Sequence, residues 1–300
     1  VLEAREVVLC LRMGAKGEEL DARGAIVEKG TEKRRLLLGK TLDIGGELWV
    51  QLVLLPWEVF AGRTDACRCP CKAFFDAAAV AGDWSMLLTP ARPVPRDWLF
   101  ADMRGRRVLG LAAGGGQQMP IFAAMGAVCT VLDYSERQIA SEELVARREG
   151  YEIRAIRADM TRPLPFADEE FDLIFHPVSN CYVEDVGAIW RECARVLRPG
   201  GRLLAGLDNG VNYIVDDDEE RIVQGLPFNP LRNPGLIPAE ELDEWGMQFS
   251  HTLDEQIRGQ IQAGLSLIDL YEDTNGGESR LHKLGIPTFW ATCAEKPADA

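Results

Sequence analysis

Three consecutive glycines, Gly114, Gly115 and Gly116, break the apolar run that begins at Val108, and two aspartates, Asp133 and Asp159, close the next two apolar runs. Adjacent glycines permit positive φ and let a ligand approach the backbone closely. A helix that starts just beyond them presents free N–H groups to a negatively charged group. Carboxylates at strand ends accept hydrogen bonds from hydroxyl or amino groups. His176 follows at the end of another apolar run, "FDLIFH", and imidazole is the usual general base near neutral pH.

Three ligands compete for such a turn. A Walker-type phosphate loop needs Gly-x4-Gly-Lys-Ser/Thr, and no lysine follows these glycines. A dinucleotide fingerprint begun at Gly114 and Gly116 puts Met119 where its third glycine belongs, which would hold helix and strand apart. S-Adenosylmethionine (SAM) has no phosphate and asks for close backbone approach around its methionine part and an acid for its ribose hydroxyls. Asp133 suits the ribose, and Asp159 suits the adenine amino group with Met160 as an apolar neighbour of the ring. The competing reading makes both aspartates turn formers.

The elements that must carry these residues alternate. "RVLGLA", "AVCTVLD", "YEIRAIRAD", "FDLIFH" and "RLLAGL" read as strands. "QQMPIFAAMG" reads as a short helix ending at Gly126. Ser135 opens "SERQIASEELVARREG", with Gln138 as its capping-box partner and Gly150 as the stop. "VEDVGAIWRECARVLRPGG" is amphipathic, with Val186, Ile189, Trp190, Cys193 and Leu197 on one face. "LDEQIRGQIQAG" is helical, and "LSLIDLYED" and "TFWATCAEK", parted only by a loop containing Gly-Gly, read as an antiparallel edge hairpin. The fold class is α/β, a doubly wound Rossmann-like sheet over residues 106–300, where ligands sit outside the carboxyl ends of the strands.

Residues 1–56 read as a β-rich accessory segment that packs on the main body or builds a homodimer contact. Residues 57–105 read as an extended connector, because the prolines of "LLTPARPVPRDW" forbid a continuous helix. Cys67, Cys69 and Cys71 have no second pair with zinc-site spacing, so they are expected as free loop thiols and no metal is expected. Cys129, Cys193 and Cys293 sit in apolar contexts that suit reduced core thiols and a cytoplasmic protein. No apolar run reaches the ~20 residues of a membrane span. The net charge is −14, all of it on residues 57–300, since residues 1–56 balance nine basic against nine acidic side chains. A polyanion would be repelled, so no nucleic-acid partner is expected.

The segments "VLGLAAGGG", "VLDYS", "ADMTRPLPFADEEFDLIF" and "ECARVLRPGGRLLAGL" resemble the class I SAM-dependent methyltransferases that act on small molecules. The resemblance runs from about residue 84 to the end of the chain. It implies a seven-stranded sheet with the last strand inserted antiparallel. It also implies a SAM site at Ala112, Gly114, Gly115, Gly116, Gln117, Gln118, Asp133, Tyr134, Gln138, Asp159, Met160 and His176. Two positions depart from the family: Gly110 stands for its acid and Ala112 for its glycine. Without the acid, Gln117, Gln118 or a backbone carbonyl is left to meet the methionine ammonium.

Methyl transfer from a sulfonium chiefly needs a nucleophile held in line, and alignment is worth ~7–11 kcal/mol. His176 is the candidate general base, with lining of the SAM pocket and a plain turn role as its alternatives. Asn180, Tyr182, Tyr213 and His251 are candidate substrate-facing groups. The connection over residues 208–252 is long enough to be a substrate lid. Its "DDDEE" at 216–220 would draw a cationic amine or form a solvated turn, and His282 would line the pocket or stay exposed. Rival readings are a SAM- or nucleoside-binding protein without transfer activity, an NAD(P)-dependent oxidoreductase and an RNA methyltransferase.

Overall fold

The computed structural model describes residues 72–82, 84–236 and 247–298. The expected strands of residues 1–56, the loop of Cys67, Cys69 and Cys71 and the middle of the 208–252 connection lie outside them.

A seven-stranded sheet forms the centre, built from β1 (Arg107–Leu111), β2 (Val128–Asp133), β3 (Ile153–Arg157), β4 (Phe171–His176), β5 (Leu197–Asp208), β6 (Ser266–Asp273) and β7 (Phe289–Glu295). The strand order is β3-β2-β1-β4-β5-β7-β6. Strands β1 to β5 run parallel, while β7 pairs antiparallel with both β5 and β6. The strand order turns around between β1 and β4, the position where sheets of this kind open a crevice at their carboxyl ends.

Both faces of the central strands are buried, which is why they read as near-continuous apolar runs. On one face Leu109, Leu132, Ile174 and Leu203 pack under α4 (Val186–Val196) through Ile189, Trp190 and Cys193. On the other, Val108, Val131, Leu173 and Phe175 pack under α2 (Met119–Ala124) through Met119 and Phe122. Each such apolar side chain, fully buried, contributes about 1.5–3 kcal/mol. Helix α3 (Glu136–Glu149) starts at Ser135, whose Oγ accepts from the Gln138 N–H, and stops at Gly150 with φ 71°.

Three local expectations need correction. The connector contains a helix, α1 (Lys72–Ala81), ahead of the prolines that forbid one further on. Leu197 leaves the α4 face and begins β5, pairing with Phe171, because Pro199 cannot continue a helix. The loop between β6 and β7 carries a short helix of its own, Arg280–Lys283. The segment before β6 is helical as expected: a π-turn, Asp254–Arg258, runs into a short α-helix, Gly259–Gln262.

The connector is pinned to the sheet end. Asp273 Oδ2 accepts from the N–H groups of Ala91 and Arg92, both at 2.8 Å, and Trp98 Nε1 donates to Asp269 Oδ2 at 2.9 Å.

Candidate functional site

The turn after β1 is tied to the protein from beneath. Gly114 N–H donates to Asp133 Oδ2 at 3.0 Å, Gly115 N–H to the Gln138 carbonyl at 3.1 Å, and Gly116 N–H to Glu142 Oε2 at 2.6 Å. Ser141 Oγ donates to the Gly115 carbonyl at 3.1 Å. Gln138, Ser141 and Glu142 stand at i, i+3 and i+4 on one face of α3, so a single helix face reaches the turn. All three glycine N–H groups are therefore spent on protein acceptors, and two of these are carboxylates. A pyrophosphate would find no free glycine N–H here and two carboxyl groups beneath the turn. Glu142 and Ser141 were missed in the sequence; the signal was a polar triplet continuing from Gln138 on the face that α3 turns inward.

The backbone of the turn runs through positive φ at Ala112 (49°), Gly115 (116°) and Gly116 (81°). Ala112 thus holds, with a Cβ, the left-handed conformation that suits glycine. A Cβ on Gly115 would lie 2.7 Å from Gln138 Oε1 and 3.2 Å from Gln117 Nε2, so both amides converge on that one bare Cα. Gln117 is 6% exposed. Both of its side-chain polar atoms lack a partner, as do Gln138 Oε1 and Glu142 Oε1. Buried polar atoms are normally paired, and each left alone costs about 1–3 kcal/mol. A donor and three acceptors gathered without partners around a side-chain-free corner fit an amino-acid-bearing ligand such as SAM.

Met119 does not hold strand and helix apart. A Cβ on Gly110 would lie 2.7 Å from Met119 Sδ, and Met119 is fully buried. The bulk sits on the helix and the gap on the strand, the reverse of the dinucleotide arrangement. The capping box is half formed: the Ser135 N–H donates to Asp133 Oδ1 at 2.9 Å, and the Gln138 side chain turns toward Gly115 instead.

Asp133 stands at the end of β2 with a partly exposed carboxylate, and burial raises its pKa against the opposing pull of three backbone N–H groups. Burial also lifts the Glu142 carboxyl to about 7, with Asp133 adding to the rise. Tyr134 is exposed beside it. Asp159 forms an Asx turn, its Oδ1 accepting from Thr161 N at 2.9 Å and Thr161 Oγ1 at 2.7 Å. Met160 packs into the core with Leu132 and Leu164. Gln118 is buried at the start of α2, where its carbonyl accepts from Ile121 and Phe122.

His176 is fully buried, with Nδ1 2.8 Å from the Leu111 carbonyl and Nε2 2.6 Å from Asn180 Oδ1. Burial holds its pKa below the usual 6.5. A neutral ring keeps its proton on Nδ1 for the carbonyl and meets the NH2 end of the Asn180 amide at Nε2. Neither nitrogen is left to take a proton from a substrate, which corrects the expected general base. Asn180 is 1% exposed and faces no open space. With its amide turned this way, its oxygen end faces the Gln256 side-chain amide at 3.0 Å, and its backbone carbonyl accepts from His251 Nε2 at 3.1 Å. His251 is itself buried, so the two histidines, Asn180 and Gln256 form one internal polar chain from β1 to the π-turn.

The described parts of the 208–252 connection are anchored. Tyr213 is buried, stacks on Phe228 at 4.8 Å and 18°, and donates from its hydroxyl to Gln248 Oε1 at 2.9 Å. Asp208 accepts from Gly210 N and Asn212 Nδ2, and burial pushes its pKa up to about 6. Asp216 and Glu219 hold structure: Asp216 Oδ1 accepts from Glu220 N at 2.8 Å, and Ser279 Oγ donates to Glu219 Oε2 at 2.9 Å. Tyr182 is half exposed, and His282 is exposed with Nδ1 2.6 Å from Thr274 Oγ1. Among the described residues no cluster of His, Cys, Asp and Glu has the makings of a metal site, and no helix is long and apolar enough to cross a membrane.

A family model described as a methyltransferase domain matches residues 109–205. The chain is 39% identical over 202 residues to an uncharacterized methyltransferase of Bacillus subtilis, covering 65% of this chain and 79% of that protein. It is 40% identical over 192 residues to the demethylmenaquinone methyltransferase of Mycolicibacterium paratuberculosis, covering 61% and 77%. A crystal structure of a SAM-dependent methyltransferase from Mesorhizobium loti shares the fold, with a TM-score of 0.51 at 20% identity over 67% of this chain and 94% of that one.

Proposed function

Since this chain belongs to the SAM-dependent methyltransferases and carries a methyl group from SAM to a small molecule, we propose that the corner formed by Gly114–Gly116, Gln117, Asp133 and Gln138 is where it holds the cofactor. The single observation that carries this reading is the gathering of partnerless buried amide atoms around Gly115, over a turn whose N–H groups are already spent.

When bound, SAM supplies an electrophilic sulfonium methyl. The residues supply everything else. Asp133 has lone pairs beyond those used by Gly114 and Ser135, and these accept from the ribose hydroxyls. Gln117 offers one amide donor to a carboxylate, while Gln117 Oε1 and Gln138 Oε1 accept from an ammonium in place of the acid absent at Gly110. Tyr134 lies exposed at the strand end for contact with the adenine face, and Asp159 takes the adenine amino group on its outer oxygen. Met160 acts from the core by fixing the turn that carries Asp159. His176 is a positioning residue, holding the Leu111 carbonyl and hence the root of the turn. Tyr182 and Tyr213 border the acceptor side, at the ends of β4 and β5. The acceptor's proton leaves without His176.

The thiols of Cys129, Cys181, Cys193 and Cys293 are free and buried, which supports a reducing compartment such as the cytoplasm. Isothermal titration of the full chain with SAM, S-adenosylhomocysteine and NAD tests the site. Binding of the two sulfur nucleosides and none of NAD is the expected result; NAD binding in their place would overturn it.

A further inference from the structure

Glu142 is the buried group that the proposed chemistry leaves unused. It is 0% exposed, its Oε2 takes the Gly116 N–H, and its Oε1 has no partner. Two residues back along the turn, Asp133 Oδ2 takes the Gly114 N–H. Two carboxyl groups thus hang from one turn, and the charge of Asp133 acts on the buried Glu142. Beside them Gln117, also buried, points amide atoms without partners at the same corner.

The charged or titratable neighbours acting on Glu142 come from β2: Asp133, whose charge disfavours its ionisation, and the buried thiol of Cys129, itself pushed up by burial and by Glu142. From the turn it receives only the Gly116 N–H. Burial and Asp133 therefore favour the protonated carboxyl, and the one backbone donor favours the carboxylate. The balance falls close to neutrality. A positive charge delivered to this corner would tip it.

We propose that Glu142 gives up a proton to solvent when the cationic methyl donor occupies the glycine turn and takes one back when the uncharged thioether product remains, so that cofactor exchange is linked to protons. This rests on the cofactor site proposed above. The balance is simple: Glu142–COOH becomes Glu142–COO⁻ plus H⁺ as a sulfonium arrives. The reverse occurs once the methyl group has left with the acceptor and the sulfur has become neutral. SAM and S-adenosylhomocysteine share nucleoside and amino acid, and differ in the sulfonium charge with its methyl. A proton-linked site therefore treats them differently as pH changes, holding SAM more tightly at higher pH while its grip on the product stays level.

The test is isothermal titration of the full chain with each nucleoside between pH 6 and 8, repeated in buffers of different ionisation enthalpy so that proton release is read directly. Wild type should release a fraction of a proton with SAM and near none with S-adenosylhomocysteine. Its SAM affinity should rise about fivefold over the range for a fall of about one unit in the Glu142 pKa, toward a limit of about tenfold. Glu142→Gln, which can still accept from Gly116 N–H, should lose both the release and the slope. Equal release with both nucleosides in wild type would overturn the proposal, as would a Glu142→Gln protein that keeps the slope. The wild-type comparison stands alone if that variant does not fold. No binding of either nucleoside to wild type would instead overturn the cofactor site itself, and with it this inference.

Discussion

Met119 Sδ occupies the space beside Gly110 that a side chain on the strand would need, 2.7 Å from the position of a Cβ there. The two residues are complementary: the strand carries no side chain, and the helix fills the space with a thioether. Gly110→Asp should therefore destabilise by about 1–3 kcal/mol through overpacking alone, with burial of a carboxylate adding to it. Met119→Ala should recover a part of that loss in the double variant. Denaturant midpoints for the four proteins of the cycle check the coupling; additive effects would mean the two side chains do not share the space.

Ala112 carries a Cβ at φ 49°. Left-handed backbone costs an alanine about 1–2 kcal/mol relative to right-handed, and glycine escapes that cost. Ala112→Gly should raise stability by about 0.5–1 kcal/mol after the added freedom of the unfolded chain is subtracted. An unchanged or lowered melting temperature would show that the alanine methyl group packs well enough to offset the strain.

How much of this was legible in the sequence depended on the range of the interaction. The strands ending at Leu111, Asp133, Arg157 and His176 were readable because their apolar runs and the turns after them are local signals, and Ser135 and Gly150 marked α3 for the same reason. Helix α1 was hidden by the prolines that follow it, and Leu197 looked helical until Pro199 is given its due. The fate of polar side chains was not readable at all. His176 and Asn180 stand where reacting groups belong in this fold, yet each finds its partners inside, from β1 and the π-turn, far away in the chain. Glu142 was overlooked because a charged residue in a helix reads as surface until the helix is seen to turn it under a glycine.

His176 should stay neutral, protonated on Nδ1, through the physiological range. Nitrogen-15 spectra of the imidazole from pH 5.5 to 8 should show an unprotonated Nε2 throughout. A doubly protonated ring near pH 7 would mean that Asn180 presents its oxygen. The sign for stability follows from burial lowering the folded value below 6.5. The unfolded chain then binds the proton more readily, so the contribution is present above that pH and is lost as pH falls through it.

Glu142 has the opposite sign. Its folded value, about 7, lies above the ordinary 4.5. The folded cofactor-free protein holds the proton more readily, so its stability falls as pH rises from 4.5 through 7, on the order of 3 kcal/mol if Glu142 acts alone. Glu142→Gln should flatten that part of the curve and be relatively more stable at pH 8 than at pH 5. Urea unfolding at the two pH values measures it, and parallel curves for variant and wild type would contradict it.

Cofactor affinity of Asp133→Ala is the most direct measurement of all. The carboxylate that ties Gly114, and that we propose accepts from the ribose, should be worth at least about 1.4 kcal/mol, so titration with S-adenosylhomocysteine should show binding weakened tenfold or more in a protein that remains folded. Affinity equal to that of wild type would mean that the nucleoside lies elsewhere, and the site described at the glycine turn would be wrong.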